Sequence, residues 1–403
     1  MGWTVRLAGV AAILSAWPGA AAGAGLAAPA DPAADSAAQG GWVVGASGET
    51  IFEHTRASLR DPHFGIRVYR DHQVPGTLHD VPDPTAPGAD ALAAAPNGNH
   101  TFFDVAFGEH LPILTWFNVN PAHSRYARGV SFNLDAAAFL LLDFDSQSSG
   151  VIDTDFRIGG SIDLRPWVSG LDHLSLSTGY FHESSHLGDE YVLSAATIQA
   201  GAVPSVNPAL PYRANPSYEA LPVTLSLDVP LGGAFSGRLY GGAEKYFDSQ
   251  LPTGSLPTVW RAGGELRWTS VSDRLDAGDV EQPTWVQRAL TKLKERSVGR
   301  DAAIAPQLRR RRGPFGVELA YEMRARRRYE HVGTDRTATF VDAPGFFYVQ
   351  HATLMGLYNL DTAHSSSNAL GLSVDWIRGR SPFGQLIEYA TVDAFAVGLS
   401  YYW

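Results

Sequence analysis

The sequence predicts an all-β fold, a closed antiparallel transmembrane β-barrel of twelve strands, and three observations carry that reading. In the last eleven residues, Asp393 to Trp403, the large side chains Phe395, Val397, Leu399, Tyr401 and Trp403 share one face of an extended strand, while Ala394, Ala396, Gly398, Ser400 and Tyr402 share the other. A large apolar face suits lipid, and a small, mostly polar face suits a lumen. The same period of two recurs along the chain with charge confined to one face: Val223, Leu225, Leu227 and Val229 alternate with Thr224, Ser226 and Asp228, and Leu370, Leu372, Val374 and Trp376 lie opposite Ser373 and Asp375. Finally, 45% of the residues are hydrophobic, yet no apolar run is long enough for a spanning helix.

The amino end fits an exported chain. Arg6 precedes an apolar run from Leu7 to Trp17, and small residues follow with candidate cleavage positions between Ala21 and Ala30. That run is too short to cross a bilayer and reads as a signal peptide over residues 1–29. Residues 30–60 read as a leader or periplasmic segment, and residues 61–403 as the barrel. With no Cys, thiol catalysis, disulfides and thiolate metal sites are excluded. A net charge of −10 argues against nucleic acid as a partner, and no stacking platform accompanies the basic clusters. Gly-rich phosphate loops, H-E-x-x-H and G-x-S-x-G are absent from the sequence.

Taken in order, strands are expected at 101–109, 111–119, 128–143, 152–164, 171–182, 218–229, 234–246, 258–270, 315–328, 346–358, 368–378 and 390–403. An even number is required if both termini lie on one side. Only His110 separates the first two strands, and His63–Tyr69 is a plausible strand left unused, so ten and fourteen strands stand as alternatives to twelve. With both termini periplasmic, the links Pro166–Gly170 and Pro230–Gly233 fall on the periplasmic side and the long segment 183–217 on the other. Residues 271–314 interrupt the pattern as a polar periplasmic insertion, with Trp285, Ala289, Leu290 and Leu293 on one side of a short helix starting near Pro283. The charges Asp135, Asp153, Asp155, Arg157, Asp163, Asp228, Glu318, Glu322, Arg324 and Asp375 should point inward and pair across strands, leaving a narrow or blocked channel. Arg309 to Arg312, and Arg324 with Arg326, Arg327 and Arg328, are the densest positive charge. The second group is a candidate site for lipid phosphates through forked hydrogen bonds, with solvated strand ends as the plainer reading.

The chemistry-bearing stretch is Gly179–Tyr191, G-Y-F-H-E-S-S-H-L-G-D-E-Y. Leu174, Leu176, Thr178, Tyr180 and His182 share what looks like the lipid-facing side of a strand, and Ser184 is next in phase. Three readings stand side by side. His182 as general base and Ser184 as nucleophile lie two residues apart on one face, close enough for an imidazole to reach a hydroxyl. Alternatively, His182, His186, Asp189 and Glu190 offer two imidazoles and two carboxylates for Zn²⁺, or the acidic pair takes Ca²⁺; the two imidazoles meet only if the chain turns after Ser185. The third reading is a polar network that pins the 183–217 loop to the rim.

The mature chain, and H-E-S-S-H-L-G-D-E-Y in particular, resembles an uncharacterised family of Gram-negative outer-membrane proteins, domain of unknown function 1207. This resemblance implies a barrel in the cell outer membrane, with phospholipid and lipopolysaccharide around it, and it implies no activity. The terminal strand resembles the closing strand through which such barrels engage the barrel-assembly machinery. More locally, His182-x-Ser184 is similar to the catalytic pair of outer-membrane phospholipase A and lipid A 3-O-deacylase. Those families usually follow the serine with Asn where this chain has Ser185, and their third triad member has no clear match. The expected function is thus an outer-membrane barrel whose rim cluster is structural or binding, with lipid acyl hydrolysis and a metal-binding or narrow-channel transport role as the alternatives.

Overall fold

The structure is a computed structural model. It describes residues 39–44, 55, 57–70, 72–73, 101–119, 128–145, 150–166, 171, 173–187, 217–232, 234–247, 258–270, 274–278, 307–311, 313–332, 339–360, 369–382 and 391–402. The described residues all belong to one unit, Gln39–Trp403. Among the described residues there are sixteen strands: β1 (Gln39–Val44), β2 (Phe64–Tyr69), β3 (His72–Gln73), β4 (Phe102–Val119), β5 (Arg128–Asp143), β6 (Val151–Arg165), β7 (Leu174–Leu187), β8 (Ser217–Gly232), β9 (Phe235–Phe247), β10 (Thr258–Thr269), β11 (Arg274–Gly278), β12 (Gln307–Arg311), β13 (Phe315–Val332), β14 (Thr339–Asn359), β15 (Ala369–Arg380) and β16 (Thr391–Tyr402).

Closure is read from the pairing. The antiparallel order runs β4, β2 with β3, β16, β15, β14, β13, β10, β9, β8, β7, β6 and β5, and β5 pairs again with β4. That ring has twelve wall positions, and its closure gives each wall position a neighbour on either side, as a sheet needs where no water reaches its backbone. The number agrees with expectation through two compensating differences. Residues 101–109 and 111–119 are one strand, β4, which passes His110 and absorbs an irregularity between Pro112 and Leu114. His63–Tyr69, unused in the sequence reading, supplies the missing position as β2. A histidine facing inward in mid-strand looks like a turn when only alternation is read, because alternation does not show that the inward face will meet Asp135 and Asp163.

The first wall position is discontinuous. β1 pairs with residues 114–119 of β4 and β2 with residues 102–106, so both lie along the same edge of that strand. Between them the chain leaves the wall, and Thr55 and Ala57–Asp61 pack against inward-facing side chains of distant strands. The expected leader over 30–60 is therefore corrected from Gln39 onward. The 271–314 insertion carries a two-stranded sheet, β11 with β12; the helix expected near Pro283 lies outside the described residues.

Side-chain direction follows the alternation. On β16, Phe395, Val397 and Leu399 point out while Ala394, Ala396, Gly398 and Ser400 are buried inside. The outward surface is a belt of large apolar groups, with Phe395 75% and Leu372 63% exposed. The ten charges expected inward all face the lumen: Asp135 and Asp163 flank His110, Arg165 and Arg238 clasp Asp228, and Arg267 holds Glu318. Toward the end where β5 runs into β6, the lumen turns apolar, with Phe102, Phe139, Leu141, Ile152, Ile377 and Val392 packed with Leu59.

Candidate functional site

The lumen holds a densely bonded cluster built around Thr55 and Ala57–Asp61. Arg60 enters between β6 and β7, donating to Asp155 at 2.7 Å and to Glu183, while its guanidinium lies 4.3 Å from the centre of the Phe139 ring. Glu183 also accepts from Tyr218 and, at 2.8 Å, from Arg157 Nε, and Arg157 Nη1 donates to the Arg60 carbonyl at 3.0 Å. On the opposite wall Arg261 grips Asp61 with both terminal nitrogens, at 3.1 and 3.0 Å, and reaches Thr55 Oγ1 and Glu322 at 2.7 Å each. A third wall contributes His351, which holds the Ala57 carbonyl at 2.7 Å with Nδ1 and Asp375 at 2.8 Å with Nε2. The segment is thus tied to β6, β7, β10 and β14 at once. Burial alone would raise the Asp61 carboxyl, but the Arg261 fork outweighs it and holds the group well below the usual carboxylate range.

Sequence reasoning found Asp155, Arg157, Glu322 and Asp375 of this cluster as inward charges and did not single out Arg261, His351 or Tyr218; it missed Thr55, Arg60 and Asp61 because a segment folded into a lumen carries neither period. Glu183 was visible only as the residue between His182 and Ser184. Its inward phase was the available signal, and its neighbour Arg157 is opposite it in the β6–β7 pairing.

In the rim stretch the described residues show where His182, Ser184, Ser185 and His186 stand. β7 stays paired with β6 through Leu187, with His186 opposite Thr154 and Ser185 opposite Asp155. No turn follows Ser185 there, so His182 and His186 stand about 13 Å apart on the outward face. Asp189 and Glu190 lie outside the described residues, and among the described residues no group of three or more His, Asp or Glu is disposed to hold a metal. Ser185 points inward, onto Asp153 at 3.1 Å. His182 and Ser184 are both outward, as phased from the sequence, but His182 turns its Nε2 across to Ser217 Oγ of β8 at 3.3 Å and its Nδ1 toward Glu219 at 3.9 Å.

The arginine group divides in the same way. Arg324 and Arg326 are buried in the lumen, Arg324 against Glu244 and Glu322, while Arg327 points outward and the side chain of Arg328 lies outside the described residues. The strand period splits adjacent basic residues between two faces, so the four do not converge on one lipid phosphate.

Comparison with known proteins adds little to this geometry. No curated protein matches the chain. Among solved structures, the β domain of the Bordetella autotransporter Brka is 9% identical, covers 85% of this chain and 100% of its own, and has a TM-score of 0.33. OprD of Pseudomonas aeruginosa is 9% identical over 86% of this chain and 98% of its own, with a TM-score of 0.22. Closure of the barrel rests on the strand pairing itself, not on these similarities. Residues 93–279, from just before β4 through β11, match the model of the family described as Protein of unknown function (DUF1207), and this is the uncharacterised family that the sequence resembles.

Proposed function

We propose that this protein is an outer-membrane barrel closed by its own chain, in which small polar solutes pass only when the Thr55–Asp61 segment leaves its place in the lumen. The observation that carries the reading is the anchoring of that segment to four strands through Arg60, Asp61 and the Ala57 carbonyl. A lumen with ionised groups paired across it tolerates water, whereas the outward belt of Phe, Leu and Val tolerates only hydrocarbon. Gln73, Phe102, Leu187 and Ser217, which flank the two longest stretches between wall strands on that side, lie at one end of the wall, and Gln39 and Tyr402 lie at the other, which supports a periplasmic position for Gln39 and Tyr402.

Planar-bilayer recording tests this reading. Wild-type protein should show no porin-sized step, and a variant with residues 55–61 replaced by a Gly-Ser stretch should open to a stable, larger conductance. A wild-type conductance of porin size sinks the reading, and so does a replacement variant that folds and remains closed.

A further inference from the structure

The outer wall carries a second constellation that the lumen does not explain. In the β7–β8 pairing His182 lies opposite Glu219, and Ser184 lies opposite Ser217. All four alternate in phase with the outward residues Tyr180, Leu221 and Val223. The side chains of His182 and Glu219 are 42% and 28% exposed. His182 presents Nε2 to the Ser217 hydroxyl at 3.3 Å while Nδ1 faces Glu219 Oε1 at 3.9 Å. A hydroxyl, an imidazole on it and a carboxylate behind the imidazole are the three parts that alcohol nucleophiles require: the base takes the proton and the anion orients the base.

A second, independent observation lies further along the same wall. From Glu219 the outward face of β8 continues through Leu221, Val223 and Leu225. There the wall is indented, because β9 and β10 present Gly241, Ala243 and Ala262 instead of large side chains. Trp260 and Met323 bound the depression, which has a volume of about 510 Å³. From Glu219 to Leu225 the strand rises roughly 20 Å, somewhat more than half the thickness of a hydrocarbon core. Leu221 lies between the depression and the Ser-His-Glu group on the outward face of β8, so a fatty acyl chain laid along that face reaches the depression when its ester carbonyl sits at Ser217.

We propose that Ser217, His182 and Glu219 form a lipid-facing acyl-ester hydrolysis site, with the depression beside Val223 and Leu225 as its acyl-chain groove. Ser217 Oγ attacks the ester carbonyl carbon as its proton passes to His182 Nε2; the C–O bond to the alcohol breaks and the leaving alkoxide takes that proton. Water then attacks the acyl-serine, giving one proton to His182, and the fatty acid departs as Ser217 recovers its hydrogen. Glu219 is a positioning residue. The site is on the outside of the wall and is independent of the closed-lumen reading.

The test uses the full chain, folded in detergent micelles and checked by heat-modifiable gel mobility, with a fluorophosphonate probe and long- and short-chain acyl esters of a chromogenic alcohol. Wild type should be labelled and should turn over the long-chain ester. Labelling should vanish in Ser217→Ala, and turnover should fall about 10²- to 10⁴-fold in His182→Ala. Glu219→Gln should lower kcat with little change in KM, and Glu219→Asp should restore part of it. Ala262→Trp, which fills the groove, should raise KM for the long-chain ester and leave the short-chain ester as in wild type. Absence of labelling and turnover in folded wild type overturns the proposal. Labelling that survives Ser217→Ala, or is lost in Ser184→Ala but not in Ser217→Ala, overturns the assignment of the nucleophile. Equal effects of Ala262→Trp on both esters overturn the groove.

Discussion

Arg261 shows how much a single residue decides in this lumen. Its guanidinium serves Asp61, Thr55 and Glu322 together, so removing it takes the forked partner from Asp61 and leaves Glu322 with Arg324 and Tyr240. Breaking a buried ion pair from one side costs about 3–5 kcal/mol. Arg261→Ala should therefore both lower the unfolding midpoint and release the lumenal segment, seen as intermittent openings in bilayer recordings where wild type is silent. Gly398 is a subtler case. A Cβ there would lie 2.5 Å from Ser373 Oγ and 3.1 Å from Asp375 Oδ2, the pair joined by a 2.6 Å hydrogen bond. Gly398→Ala must push Ser373 off Asp375 and so disturb the carboxylate that holds His351. A loss of about 1–3 kcal/mol is expected from such overpacking, measurable by urea unfolding. The acid response of the segment has a definite sign. Asp61 is held below its ordinary range, so its contribution is fully present above the unfolded-state value and is lost only as pH falls through the lower, folded value. Conductance should stay at its closed level between about pH 5 and pH 8, and a wild-type channel that opens on mild acidification would contradict this.

At the scale of elements, a strand here is two rows of residues with opposite demands. On β15, Leu370, Leu372 and Val374 are exposed while Ser373 and Asp375 are buried in the lumen. Val374→Arg places a charge in the apolar belt and should cost about 2–4 kcal/mol if the position is near the bilayer midplane. Ser373→Ala, one residue away, removes a hydrogen bond of Asp375 and should cost about 1 kcal/mol. Equilibrium unfolding of the two variants in lipid vesicles gives the comparison; similar losses would argue against a lipid-facing outer row. The same two-row rule explains the fate of the arginine group, which looked like one patch in the sequence and is two half-patches on opposite sides of β13. It also explains why His182 and His186 do not meet. Their shared face is outward and the strand stays straight, so the separation set by the strand rise is preserved.

For the whole molecule, the alternation in the sequence determined the wall: the antiparallel barrel, twelve positions around it, and the inward direction of Asp135, Arg157, Glu318, Glu322 and Asp375. These are local properties, since side-chain direction along a strand depends only on odd or even position. The final count agreed because the strand at Phe64–Tyr69, recognised as plausible but left out of the twelve, offset the division of β4 at His110. What the sequence left open was decided by closure. Arg60 meets Asp155 and Glu183 across separations of 95 and 123 residues, and Arg261 meets Asp61 across 200. No periodicity encodes such partners. The lumenal path of Thr55–Asp61 and the turning of His182 toward Ser217 instead of Ser184 both come from which strands lie side by side. Only the tertiary structure decided them, because a strand position fixes which way a side chain points, and only the assembled ring fixes what it finds there.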